Sequence, residues 1–224
     1  VADLKVVPPA TALSVTADLL CAAMEDLARP RLAVSGGSAA GALGLVRARM
    51  GPRWKHVRLT WVDERRVPFG DPESNRGQAY RQGFLEPGDP PGMELPLYLD
   101  GETAAEAWER VDGALSRDFG GDLDVLLLGL GEDGHSAALF PGRPWGTARV
   151  LLVDASPKPP SARITLSLAI LTSAPVSVLV ALGAGKAPAL KRLLRGDPAL
   201  PGSALSGLTV VTDLQDLVLG EDHG

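Results

Sequence analysis

Residues 129–142 read GLGEDGHSAALFPG and follow a run of apolar residues. The segment places two acids, Glu132 and Asp133, and one of the chain's three histidines, His135, among glycines. A turn needs none of these. Asp133 stands two residues before His135, so a tight turn through Gly131 and Gly134 lets the carboxylate orient or polarise the imidazole. A neutral imidazole held in this way is a competent general base near neutral pH. Two other uses compete with that one. The histidine could simply cap the helix that the pattern predicts to start there. It could also ligate a metal, but one histidine with two nearby acids is a poor zinc set. His56 and His223 lie in a pre-strand loop and at the chain's end, contexts that suggest no shared site, so no metal is expected.

Four further segments carry groups suited to an anion. In SGGS, Gly36 and Gly37 permit close backbone approach and Ser38 adds a hydroxyl, so the loop and the following helix N-terminus could hold an anion. Neither G-x-G-x-x-G nor a Gly-Lys-Ser/Thr follows, and a tight turn with a capping serine accounts for the loop equally well. In WVDERRVPFGDPESNRGQA, Asp63, Glu64 and Arg65 sit at a strand end. Arg65 offers a planar fork to phosphate or carboxylate, and Asn75 and Arg76 from the next helix could join it. The alternative is a solvated loop in which Asp63 or Glu64 pairs the arginines. In SPKPPSARITLS, Arg163 follows two prolines, whereas Lys158 is expected to be exposed. In GAGKA, Lys186 follows Gly183 and Gly185; lysine supplies only five of the 22 basic residues, so this one is less easily dismissed as surface.

Nucleophiles are missing. There is no G-x-S-x-G elbow, and Cys21 lies in a helical pattern where a buried structural thiol is expected. Attack by water itself, its proton taken by His135, needs no protein nucleophile.

The elements that must position these groups alternate. Strands are predicted at 4–7, 31–35, 57–64, 149–153, 176–181 and 208–211, with a further strand, apolar on both faces, in DLDVLLLGLG. Helices are predicted at 11–27, 39–49, 74–82 with Ser74 as N-cap, 102–119 and 186–195. Residues 86–96 read as irregular, yet are short enough for an ordinary loop, so one domain over 1–224 is expected. Alternating β and α units imply a mostly parallel sheet with helices on both faces. Ligands of such sheets gather beyond the carboxyl ends of the strands, where the glycine-rich and acidic loops fall.

Composition excludes several classes. With 45% hydrophobic and 22% charged residues the chain is an ordinary globular candidate, and its net charge of −5 argues against a dedicated nucleic-acid binder. No run approaches the ~18 apolar residues of a membrane span. The opening VADLKVVPPATALSV is not patterned as a signal peptide, and a single cysteine suits a reducing compartment, so a cytoplasmic location is expected.

Taken in order, SGGS, WVDERRVPFGDPESN, GLGEDGHSAALFPG, SPKPPSARITLS and GAGKA resemble the 6-phosphogluconolactonases, hydrolases of the oxidative pentose phosphate pathway. The resemblance spans about residues 32–187 and implies an αβα sandwich, a modified Rossmann-like fold, acting on a sugar-phosphate lactone without a cofactor. It implies that His135 activates water with Asp133 in support. It also implies that Gly36, Gly37, Ser38, Arg65 and Lys186 surround the substrate, the two cations on its 6-phosphate, with Arg163 a further candidate for the same pocket; Asp63 and Arg76 are pocket candidates from their places at the strand end and helix start. The chain departs from the family pattern at Ala39-Ala40, where threonine-proline is usual, and at Arg76, where an aromatic residue commonly follows SN. The tryptophan frequent in the last strand is also lacking.

Two rivals remain. Glucosamine-6-phosphate deaminases share the DGH turn but follow it with asparagine-glutamate-proline and carry a tyrosine after the aspartate-glutamate pair; this chain reads SAALFPG and DERRV there. A non-catalytic sugar-phosphate sensor could discard the base, whereas His135 and Asp133 are both present.

Overall fold

The computed structural model describes residues 2–215 and Leu217, so His223 lies outside the described residues. In chain order, β1 (Asp3–Val6) leads to α1 (Pro9–Ala23), β2 (Arg31–Val34), α2 (Gly41–Met50) and β3 (Arg58–Trp61). Next come β4 (Asp63–Arg65), α3 (Asn75–Arg81), β5 (Met93–Leu95), α4 (Ala104–Phe119) and β6 (Val125–Gly129). The chain continues through β7 (Val150–Val153), β8 (Arg163–Leu166), α5 (Leu168–Leu171), β9 (Val176–Ala181), α6 (Ala187–Leu194) and β10 (Leu208–Thr212).

Seven strands form one parallel sheet in the order β1-β10-β9-β6-β2-β3-β5, flanked by helices. β6 lies at its centre, and Leu126, Leu127 and Leu128 are fully buried, because a strand covered on both faces has no side for polar residues. α1 packs on α2 and over β6, β9 and β10. α4 begins at a capping box: the Thr103 hydroxyl accepts the Glu106 N–H, and the Glu106 carboxylate accepts the Thr103 N–H. No helix among the described residues is long and apolar enough to cross a membrane.

Three expectations need correction. Residues 57–64 are not one strand: after β3 the chain leaves the large sheet and enters a small antiparallel sheet, β4-β8-β7. Val62 is the pivot. Its N–H donates to Val34 in the large sheet, while its carbonyl accepts the Leu166 N–H from the small one. Second, residues 86–96 contain a strand, β5, which closes the sheet edge beside β3. Third, no helix follows His135. Residues 136–139 make a tight turn with Leu139 N–H donating to the Ser136 carbonyl at 3.1 Å. Ala137 adopts φ 55°, a left-handed conformation that no helix can continue through. β8, wholly buried, also escaped the strand assignment.

In a parallel sheet the carboxyl ends of all strands share one edge. The turns after β2, β6 and β9 therefore converge there, and β4 brings Asp63 and Arg65 to the same edge.

Candidate active site

These turns enclose an open cleft of about 300 Å³. Its base is the loop after β6. Gly131 N–H donates to the His135 carbonyl (2.8 Å) and Gly134 N–H to the Gly131 carbonyl (3.0 Å), with Gly134 at φ 91°, so the chain doubles back within five residues. That reversal puts His135 Nδ1 at 2.5 Å from Asp133 Oδ1. A carboxylate can only accept, so Nδ1 carries the proton and Nε2 keeps the lone pair. The ring lies against Phe140, centroids 4.7 Å apart, and the His135 side chain is 17% exposed at the cleft wall.

Burial lowers the imidazole pKa below its ordinary value. Asp133, through its hydrogen bond and charge, opposes this only in part, and Lys158 lowers it further. Asp133 is pushed up by burial, but the hydrogen bond and charge of His135, with help from Lys158, leave it below the usual carboxylate value. The pair is therefore a neutral imidazole held by an ionised carboxylate at neutral pH.

The turn after β2 forms another wall. Gly37, at φ 67°, and Ser38 open a single 3-10 turn, so their N–H groups have no acceptor within it. Gly36 has no room for a side chain: a Cβ there would stand 2.0 Å from Asn75 Oδ1. Asn75 in turn donates to the Asp63 carbonyl at 3.0 Å, locking the glycine turn to β4. Asn75 thus lines the cleft, as its sequence position allowed.

Arg65 lines the cleft while donating to the Glu73 carbonyl at 2.6 Å. Asp63 and Arg163 pair at 3.4 Å, both almost fully buried. Arg163 also donates to the carbonyls of Pro160 and Lys158, so most of its fork is committed to the cleft wall. Burial depresses its pKa, with Asp63 opposing. Lys186 is half-buried and lines the cleft; its backbone N–H donates to the Gly183 carbonyl at 3.0 Å, while its ammonium has no ion-pair or hydrogen-bond partner among the described residues.

Arg76 is the site candidate that the fold takes elsewhere. It is absent from the cleft lining, because its guanidinium is drawn to Glu94 on β5 (2.8 Å) and lies over the rings of Phe69 and Tyr80. Lys158 goes the other way: its side chain is 43% exposed, yet it lines the cleft and its Nζ is 3.7 Å from Asp133 Oδ1. Glu64, expected at most to pair an arginine in a solvated loop, instead accepts backbone donors. Its buried carboxylate accepts the N–H groups of Arg65, Asn75 and Arg76 at 2.7–2.8 Å, tying β4 to the start of α3. Burial pushes its pKa up, and those three donors only partly offset that. The SN helix start signalled free N–H donors, but that Glu64, ten residues before Ser74, reaches them depends on how β4 packs against α3.

His56 ends a 3-10 turn just before β3, at the opposite end of that strand from the cleft. Cys21 sits on α1 with its thiol pKa raised by burial, despite the opposing charge of Arg49.

A parallel α/β sheet whose strand ends present a histidine–carboxylate pair beside several cations is the arrangement of an enzyme that performs acid–base chemistry on a small anionic substrate. A family model described as "Glucosamine-6-phosphate isomerases/6-phosphogluconolactonase" matches residues 9–212, and the chain belongs to that family. A 6-phosphogluconolactonase of Rattus norvegicus is 38% identical over 80% of this chain and 74% of its own length. The crystal structure of 6-phosphogluconolactonase from Thermotoga maritima superposes with a TM-score of 0.78 at 20% identity, covering 95% of this chain and 99% of that one. A monomeric glucosamine-6-phosphate deaminase superposes with a TM-score of 0.73 at 20% identity, covering 97% and 100%. These two structures share the fold, which by itself does not separate the two activities.

Proposed function

We propose that this chain hydrolyses 6-phospho-D-glucono-1,5-lactone to 6-phospho-D-gluconate in the oxidative pentose phosphate pathway, with His135 activating the water. The curated relatives named for that activity support the reaction. The observation that carries the mechanism is the 2.5 Å contact between His135 Nδ1 and Asp133, which leaves Nε2 as the basic nitrogen of a ring on the cleft wall. Water loses a proton to Nε2 as its oxygen attacks C1. The tetrahedral intermediate collapses with the ring oxygen leaving, and protonated His135 returns the proton to that oxygen. Each such assisted transfer is worth about 10²–10⁴ in rate. The N–H groups of Gly36, Gly37 and Ser38, with Arg65 and Lys186, hold the 6-phosphate end and so orient C1. Asp63 and Arg163 build the wall behind. Deamination of glucosamine 6-phosphate is the weaker reading, because SAALFPG and DERRV replace the residues that mark that activity. We read the chain as one domain in the cytoplasm, as its single cysteine suggests.

Lactone opening measured against a no-enzyme control, alongside ammonia release from glucosamine 6-phosphate, tests this. Turnover of the second substrate and not the first rejects it. Lys186→Ala is expected to raise KM about tenfold or more with little change in kcat, since phosphate binding is shared by ground and transition states. An unchanged KM would move the phosphate site elsewhere. The pH profile carries a separate expectation. Only the neutral imidazole accepts a proton, and burial holds its pKa below the ordinary value, so the acid limb of the profile should have its midpoint below pH 6.5. A limb centred above 6.5 in background-corrected kcat/KM contradicts the assignment.

A further inference from the structure

We propose that the Lys158 ammonium holds the C1 oxygen of the substrate as it becomes an oxyanion, and afterwards the carboxylate of the product. The inference rests on the lactonase reading above and adds a catalytic residue to it.

The backbone of Lys158 is pinned. Its N–H donates to Ser156 Oγ (3.2 Å), and its carbonyl accepts from that hydroxyl (2.9 Å) and from buried Arg163 (3.3 Å). The side chain, by contrast, is 43% exposed at a residue that lines the cleft. Its Nζ comes within 3.7 Å of Asp133 Oδ1, beyond hydrogen-bond length, and that oxygen already receives the ring and backbone N–H groups of His135. A cation is thus stationed beside the catalytic pair with its donors free for a third party.

Chemistry indicates which party. With Nδ1 facing Asp133, water gives its proton to Nε2, so the attacked carbon lies a water's length from that atom. The phosphate is carried out from the ring on C6, beyond the ring oxygen from C1, and a cation bordering the pair therefore sits toward C1. The other cations are engaged differently: Arg163 is bound to Asp63 and two carbonyls, Arg65 to the Glu73 carbonyl, and Lys186 rises from the turn after β9. A developing oxyanion near the Asp133 carboxylate also needs a positive charge close by, or the two negative charges repel.

The step balances. The water oxygen bonds to C1 as its proton moves to Nε2, and the C1=O π pair moves onto the oxygen that Lys158 holds. The pair returns, the C1–ring-oxygen bond breaks, and the ring oxygen takes the Nε2 proton. The carboxylic acid then loses its own proton to solvent, and the carboxylate stays against Lys158 until release.

Lys158→Met, Lys158→Arg and the unaltered protein would be compared in turnover. Calorimetric binding would be measured for two ligands, 6-phosphogluconate and glucitol 6-phosphate, which differ in carrying a carboxylate or a hydroxymethyl group at C1. Lys158→Met should lower kcat by about 10²–10³-fold with KM changed less than about threefold, and arginine should restore part of the loss. The unaltered protein should bind the carboxylate ligand at least about tenfold more tightly, and Lys158→Met should erase that preference while leaving glucitol 6-phosphate binding unchanged. An unchanged kcat, an unchanged preference, or equal weakening of both ligands overturns the inference; the last assigns Lys158 to the phosphate instead. Absence of turnover in the unaltered protein would reject the underlying lactonase reading, a distinct result.

Discussion

Replacing His135 with alanine is expected to cut background-corrected lactone opening by about 10²–10⁴-fold, the range for loss of a positioned proton acceptor. The remaining rate should not depend on a group titrating below pH 6.5. The fold should survive, because the turn is held by backbone: Gly131 N–H donates to the His135 carbonyl at 2.8 Å and needs no imidazole. Binding of 6-phosphogluconate should change less than about threefold, since its phosphate is gripped by other groups. Rates and calorimetric affinities on the same preparation separate the two effects. Turnover close to that of the unaltered protein would remove His135 from the mechanism.

Gly131→Ala is expected to lower kcat by about 10²-fold while leaving thermal stability nearly unchanged. Gly131 is not among the glycines at positive φ, so alanine fits its backbone. Space is the obstacle. An added Cβ would stand 2.0 Å from His135 Nδ1, 2.3 Å from its Cε1 and 2.5 Å from Asp133 Oδ1. The methyl group and the catalytic pair cannot share that volume, and the imidazole is the movable party. Displacing a reacting group by about 1 Å is enough for a loss of this size. Gly70→Ala, where a Cβ would meet nothing within 4 Å, serves as the control. Full activity in Gly131→Ala would mean that the 2.5 Å contact is not needed for turnover.

What was legible in the chain had short-range causes. The Asp133–His135 pair is two residues long, so the glycines around it suffice to predict contact. Strand β6 announces its burial through unbroken apolar residues, and Ser74 marks the start of α3 by accepting the Gly77 N–H at 3.0 Å. From such signals the alternating α/β order and the edge carrying the site both follow.

Other features depended on partners distant in sequence, and only tertiary structure decided them. Arg76 leaves the cleft because Glu94, eighteen residues on, lies on an edge strand hidden in a proline- and glycine-rich segment. Lys158 enters it because Arg163 grips the Lys158 carbonyl and β7 and β8 hold the loop between them. The strand expected at 57–64 divides because the Val62 N–H and carbonyl serve different sheets. A residue's type states what it can bond to, and local spacing fixes near neighbours. Which distant group arrives to accept the bond is settled when the sheets pack.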